Sequence, residues 1–305
     1  MFPLYVTVDV EDWPQSTLDA SLPITPRAES NARRLLETLA EQRVHATLFV
    51  LATIAKLFPA LVRDAHAAGH EIASHGCGHI PIFRQTQGDF REDVTRAKDV
   101  LEQCIGEAVL GYRAPDFSIV TSTLWALAIL AEQGYTYDSS VFPLRTRRYG
   151  IAGWPSTPAD VRLSDGRTIV ELPIGVWRRG ALRLPVGGGG YHRLLPGIFA
   201  RHLIRQALRE APFVFYCHPY ETDPDEFDQL DIHVPWKVRL HQGIGRSHFD
   251  ARLHALFAEF GGCPAREALR APRTATVALP GSATPAQPKA VEPKPAQPKP
   301  AQPHN

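Results

Sequence analysis

Two histidines four residues apart, in His75-Gly-Cys-Gly-His79, can place both imidazoles on one divalent metal ion. Such a site needs a third ligand. The run Asp9-Val-Glu11-Asp12 supplies three carboxylates near the N-terminus. Two imidazoles and one carboxylate leave coordination positions open for water and substrate. A further carboxylate beside them can act as a general base. Taken alone, a His-x3-His pair is common on a solvated helix, and an acid cluster is commonly a solvated turn. Two features oppose that reading. Gly76 and Gly78 do not suit a surface helix, and Asp9 ends an apolar strand, where an idle charge is unfavourable.

The elements predicted around these residues bring them to one rim. Leu4–Val10, His45–Leu51, Glu71–Ser74, Ala108–Tyr112 and Phe213–Cys217 read as strands. Helical spacing marks Arg27–Gln42, Pro59–Ala68, Asp89–Ile105, Ser122–Gln133, Pro196–Arg209 and His248–Phe260. Strands alternating with helices imply parallel pairing with crossover helices, and about seven such units point to a deformed (β/α) barrel. In such folds the chemistry sits at the C-terminal strand ends. Asp9, Glu11, Asp12, His75, His79, Arg113, Asp116, Asp138, Glu171 and His218 all fall there. Residues 143–195, rich in Gly, Pro and Arg, read as an inserted loop region with strand candidates at Val161–Leu163 and Thr168–Leu172. The run Gly187–Gly190 lacks the Lys-Ser/Thr of a phosphate loop and reads as flexibility in a loop closing over substrate. The catalytic domain is expected over 1–270. The proline-dense tail 271–305 has no aromatic residue and reads as disordered.

Composition narrows the function class. The chain has 305 residues, 33 Lys+Arg and 32 Asp+Glu, a net charge of +1, which argues against nucleic-acid binding. With 44% hydrophobic residues it can bury a core, and no window is long and apolar enough for a membrane span. The first residues carry no basic n-region, and the four cysteines form no C-x-x-C pair; together these suggest a cytoplasmic protein with free thiols. None of these features dictates an oligomeric state.

Five segments in order resemble the polysaccharide deacetylase family, carbohydrate esterase family 4: Thr7-Val-Asp9-Val-Glu-Asp12, His75-Gly-Cys-Gly-His79, Arg113-Ala-Pro115, Tyr137-Asp138-Ser139-Ser140 and Tyr216-Cys-His218-Pro219. The segment His45–Val50 is similar to the family's second strand. Glu171-Leu-Pro173, Leu184–Pro196 and His218-Pro-Tyr-Glu221 resemble a subfamily that accompanies bacterial exopolysaccharide and exosortase loci.

The resemblance implies a metal-dependent N-deacetylase acting on N-acetylated oligo- or polysaccharides and releasing acetate. Asp9 takes the role of general base and His218 that of general acid. Arg113 resembles the arginine that holds the base, and Asp138 falls where the family has a supporting residue. His75 and His79 are the paired ligands. The family's next acid after the base also binds metal; here Val10 intervenes. Asp12 preserves residue type and is favoured, whereas Glu11 preserves the strand's side-to-side alternation. The donor set suits Zn2+, with Co2+, Ni2+ or Fe2+ also compatible. Sugar contacts are expected from Trp13, Tyr191 and Tyr220, with Pro115 beside them. The alternatives are hydrolysis of a small amide such as a cyclic imide or ureide on the same fold, or an inactive carbohydrate-binding protein.

Overall fold

The computed structural model describes residues 1–273 and 275–279. Eleven strands occur among them: β1 (Leu4–Val10), β2 (Thr47–Val50), β3 (Glu71–Ser74), β4 (Gly111–Tyr112), β5 (Tyr137–Asp138), β6 (Ala159–Arg162), β7 (Thr168–Glu171), β8 (Trp177–Arg179), β9 (Leu182–Leu184), β10 (Phe213–Cys217) and β11 (Ala275–Ala278). Nine of them form one sheet in the order β10-β1-β2-β3-β4-β5-β7-β6-β11, and β8 pairs with β9 separately. Pairing is parallel from β10 across to β7; β6 runs antiparallel to β7, and β11 parallel to β6. The fold is a mixed α/β deformed barrel.

Strand alternation sorts the residues into two cores. Tyr5, Phe49, Ala73, Tyr137, Val170, Val214 and Tyr216 pack together inside the sheet. Val6, Val8, Val10, Leu48, Val50, Ile72 and Phe215 pack outward against the helices. The crossover helices are amphipathic for this reason. Gln87–Ile105, for example, buries Phe90, Val94, Ala97 and Leu101 along one face. Its start is fixed by a capping box between Thr86 and Asp89, and Gly106 ends it in the left-handed region at φ 75°.

The barrel closes between the end of β7 and β10 through a narrow backbone seam. Gly175 N–H donates to Val214 O at 2.9 Å, Gly187 N–H to Gly175 O at 3.0 Å, and Tyr216 N–H to Gly187 O at 2.8 Å. A side chain at position 187 would put its Cβ within 3 Å of the Gly175 and Val214 carbonyl oxygens. At position 188 it would strike the Tyr216 ring. The glycine run is therefore a packed seam, correcting the expectation of a flexible loop over substrate.

Other expectations also shift. Residues 143–195 are no separate insertion, because β6 and β7 form a hairpin within the main sheet. The helix expected over Ser122–Gln133 divides into a 3-10 turn at Thr121–Thr123 and a helix at Ala126–Glu132. The tail begins in order: β11 pairs with β6, so residues 275–278 correct the expectation of disorder from 271. The expectation for 280–305 lies outside the described residues. Helices Ala52–Leu57 and Trp236–Gly243 were not expected, and the second buries no residue that would have produced an apolar stripe. No helix among the described residues is long and apolar enough to cross a membrane.

Candidate active site

The inward-facing positions of β1 continue beyond its end. Tyr5 and Thr7 face the interior, and Asp9 and then Glu11 follow on the same side. Asp9 Oδ1 accepts a hydrogen bond from Arg113 Nη1 at 2.7 Å. Arg113 lies just past β4 and is fully buried. It also donates to Thr7 Oγ1, to Ser139 O and to Ser139 Oγ, each at 2.8 Å. Its guanidinium lies 4.2 Å from the centre of the Phe49 ring. The side chain is thus held on three sides, and it fixes one oxygen of Asp9. The other, Oδ2, lies 3.9 Å from His218 Nε2.

Glu11, His75 and His79 offer ligand atoms that all lie within 4.8 Å of one another, and all three residues are buried. Glu11 Oε2 is 2.7 Å from His79 Nε2 and 3.4 Å from His75 Nε2. His75 Nδ1 lies 2.8 Å from Arg113 O, so that nitrogen donates and Nε2 keeps its lone pair. Glu11 Oε2 is buried without a hydrogen-bond partner. Two imidazole lone pairs and an orphaned carboxylate oxygen converging on one point fit a divalent cation. His79 reaches this point from a left-handed backbone at φ 56°, a conformation that costs on the order of 1–3 kcal/mol in a non-glycine residue. Gln15 steadies the turn by donating to Gly78 O at 2.9 Å. Cys77 faces away, with its thiol against Asp93 and Arg96.

The structure places Glu11, and not Asp12, with the histidines. Asp12 points to the opposite side, where it accepts hydrogen bonds from Thr25 N–H at 2.6 Å and Thr25 Oγ1 at 3.1 Å. Burial pushes its pKa up to about 6. Alternation outweighs residue type here. Trp13 is also corrected as a sugar platform: it is fully buried, edge-on to Phe227 at 4.7 Å. Pro115 is buried in its turn, while Ala114, Asp116 and Phe117 line the cleft. Tyr191 and Tyr220 both line it.

Asp138 sits behind Arg113, away from the reacting groups. It accepts hydrogen bonds from Ser140 Oγ at 2.6 Å and Ser140 N–H at 3.1 Å, and Ser140 Oγ in turn accepts from Ala114 N–H. It also pairs across the sheet with Glu171. Burial, together with the neighbouring Asp138 carboxyl, pushes Glu171 well above the usual carboxylate range.

His218, just past β10, is the best-supported side chain of the cleft. Its Nδ1 lies 3.2 Å from Glu221 Oε2, and its backbone N–H donates to that same oxygen at 2.9 Å. Arg193 Nε donates to the other Glu221 oxygen at 3.0 Å. The Tyr220 ring stacks on the imidazole at 4.9 Å, and its hydroxyl donates to Glu11 Oε1 at 3.1 Å. Burial alone would lower the His218 pKa, but the carboxylates of Glu11, Glu221 and Asp9 raise it to about 9. Burial likewise opposes ionisation of Glu221, yet His218 and Arg193 bring it down to about 2. Sequence reasoning assigned no role to Glu221 or Arg193. The available signal was the three-residue spacing from His218, which lets a glutamate reach back to cap it.

These groups line one cleft of about 340 Å³, floored by Asp9, Glu11, His75 and His79 and walled by Tyr149, Tyr191 and Tyr220. Residues 10–137 match the family model described as polysaccharide deacetylase. Over that segment the chain is similar to the polysaccharide deacetylase family. Residues 139–270 match a second model, a domain of unknown function, DUF3473. A chitooligosaccharide deacetylase of Sinorhizobium fredii is 37% identical over 82 residues, covering 27% of this chain and 38% of that protein. A peptidoglycan-N-acetylglucosamine deacetylase of Bacillus cereus is 28% identical over 94 residues, 30% of this chain and 34% of that one. The chain thus spans little more than a third of the length of these curated relatives. Among solved structures, a Mycobacterium smegmatis protein described as a candidate polysaccharide deacetylase superposes with a TM-score of 0.56 at 24% identity, covering 84% of this chain and 82% of its own. The PuuE allantoinase superposes with a TM-score of 0.57 at 18% identity, covering 84% and 83%. Both share the fold of this chain.

Proposed function

We propose that this chain is a deacetylase that hydrolyses N-acetyl groups on sugars of an exopolysaccharide or of its biosynthetic intermediate, releasing acetate. The observation that carries the reading is the meeting of the Glu11/His75/His79 cluster with two proton-transfer groups: His218 Nε2 lies 3.6 Å from Glu11 Oε1 and 3.9 Å from Asp9 Oδ2. Glu11, His75 and His79 would hold a divalent cation, with Zn2+ favoured by the donor set. When bound, such a cation polarises an acetyl carbonyl and lowers the pKa of water.

The chain's own residues do the rest. Arg113 fixes Asp9 Oδ1, which leaves Oδ2 to take the proton of the attacking water. The Glu221 carboxylate against Nδ1 favours the protonated imidazole, so His218 has a proton to give. From Nε2 it can protonate the departing amine, which would otherwise leave as a strongly basic anion. Glu221 and the stacked Tyr220 keep that imidazole from rotating. The tyrosine-walled cleft suits a saccharide chain better than a small ureide, which requires an enclosing pocket. The four cysteines are free thiols, which supports a cytoplasmic setting.

The test is acetate release from N-acetylglucosamine oligomers by metal-stripped protein, with and without added Zn2+ or Co2+. Metal-dependent acetate is the expected result. Stoichiometric metal binding without acetate from any N-acetylated sugar would overturn the deacetylase reading.

A further inference from the structure

The loop after β5 carries Arg145, Arg147 and Arg148, and it is built to hold them still. Ile151 N–H donates to Phe142 O at 3.0 Å, which closes the loop at its base. At its tip Thr146 N–H and Oγ1 both donate to Tyr149 O at 2.9 Å, and Thr146 Oγ1 accepts from Tyr149 N–H at 3.0 Å. Gly150 takes φ 97°, and a Cβ there would fall within 3 Å of Leu144 O. The Tyr149 ring anchors the turn edge-on to Phe117 and Phe142, at 5.7 and 5.2 Å. All three arginines are exposed. Arg148 pairs with Asp116 at 2.9 Å. Neither Arg145 nor Arg147 has a carboxylate partner among the described residues.

These arginines, with Thr121 and Ser122, line a shallow shelf of about 630 Å³, and no acidic side chain lines it. The shelf and the catalytic cleft share Arg148 and Tyr149 as lining and are therefore immediate neighbours. Like charges fixed together repel one another, and an anion bound among them relieves that repulsion. Guanidinium groups also match carboxylate and phosphate oxygens in bidentate geometry.

We propose that the shelf binds an anionic group of the substrate, carried on a unit adjacent to the sugar whose N-acetyl group reacts. The proposal rests on the deacetylase reading and deepens it: the substrate is an acidic N-acetylated glycan rather than a neutral one. Its negative charge can come from a uronate in the polymer or from the diphosphate of a lipid-linked intermediate.

The experiment measures both calorimetric binding and acetate release with the metal-loaded full chain. Three probes are compared: a neutral N-acetylglucosamine tetramer, a tetrasaccharide alternating N-acetylglucosamine with glucuronate, and an N-acetylglucosamine disaccharide 1-diphosphate. At least one anionic probe should bind about tenfold tighter than the neutral one, or more. Arg145→Ala/Arg147→Ala should abolish that preference and leave the neutral probe unchanged. Preference for the uronate probe identifies a polymer carboxylate, and preference for the diphosphate probe identifies a lipid-linked intermediate. Equal binding of all probes, or an unchanged preference in the double variant, overturns the proposal. Deacetylation of the neutral tetramer without any anionic preference would sink the shelf and leave the deacetylase. Anionic preference without acetate from any probe would do the reverse.

Discussion

Replacing Arg113 with methionine keeps most of the stem's volume and removes the charge. The structure permits the loss to be worked out. Thr7 Oγ1 still donates to Phe215 O, and Ser139 Oγ still donates to Leu172 O, so those hydroxyls keep a partner. Asp9 Oδ1 and Ser139 O lose theirs. The dominant effect is a buried carboxylate left without its cation, which costs about 3–5 kcal/mol when one member of a buried pair is removed. Urea unfolding of Arg113→Met should show a loss of that size, with acetate release abolished. Adding Asp9→Asn removes the stranded charge, so the double variant should regain roughly 2–3 kcal/mol while remaining inactive. A loss of about 1 kcal/mol or less in the single variant, as for an exposed pair, would refute the claim that Arg113 and Asp9 form one buried unit. So would a double variant no more stable than the single one.

Other outcomes follow from the same geometry. His75→Ala should lose metal binding and turnover together, whereas His218→Ala should keep stoichiometric metal and lose turnover; full activity in His218→Ala would remove its role as acid. The acid must be protonated to act, so kcat/KM should fall as pH rises through the His218 pKa of about 9. Glu221→Gln removes a charge that raises this pKa, so the alkaline limb should move to lower pH, and an unmoved limb would show that Glu221 does not act through His218. Gly187→Ala forces a methyl against the Gly175 and Val214 carbonyls and should cost about 1–3 kcal/mol of stability by thermal or urea unfolding.

Much of the site was legible because strand alternation is strict. Asp9 on β1 and Glu11 just past its end are two residues apart, as are Ala73 on β3 and His75 just past its end, so each pair faces inward. The preference for Asp12 failed because it weighed residue type above alternation. Trp13 was misjudged for a different reason. What buries it is Phe227 and Val234, from a stretch with no helical or strand period to announce its course. The glycine run carried a similar ambiguity. Glycine marks both mobility and close backbone approach, and only the seam with β10 decides between them. The strand Ala275–Ala278 was hidden by its proline-rich surroundings and its small side chains.

The two matched segments divide the chemistry between them. The first carries Glu11, His75, His79 and Arg113, which on the proposed reading would hold the cation and fix the base. The second carries His218, Glu221, Arg193 and the arginine turn, which on the proposed reading would supply the acid and meet the substrate. They cannot act separately, because β5 ends the first segment yet pairs with β7 of the second, and β10 of the second pairs with β1 at the start of the chain. The proposal thus assigns cation binding to one stretch of sequence and substrate choice largely to the other, on a single sheet. If the arginine turn selects the glycan, changes in it should alter that choice without disturbing Glu11, His75 and His79, since among the described residues Asp116 is the one acidic side chain of the cleft that the turn engages.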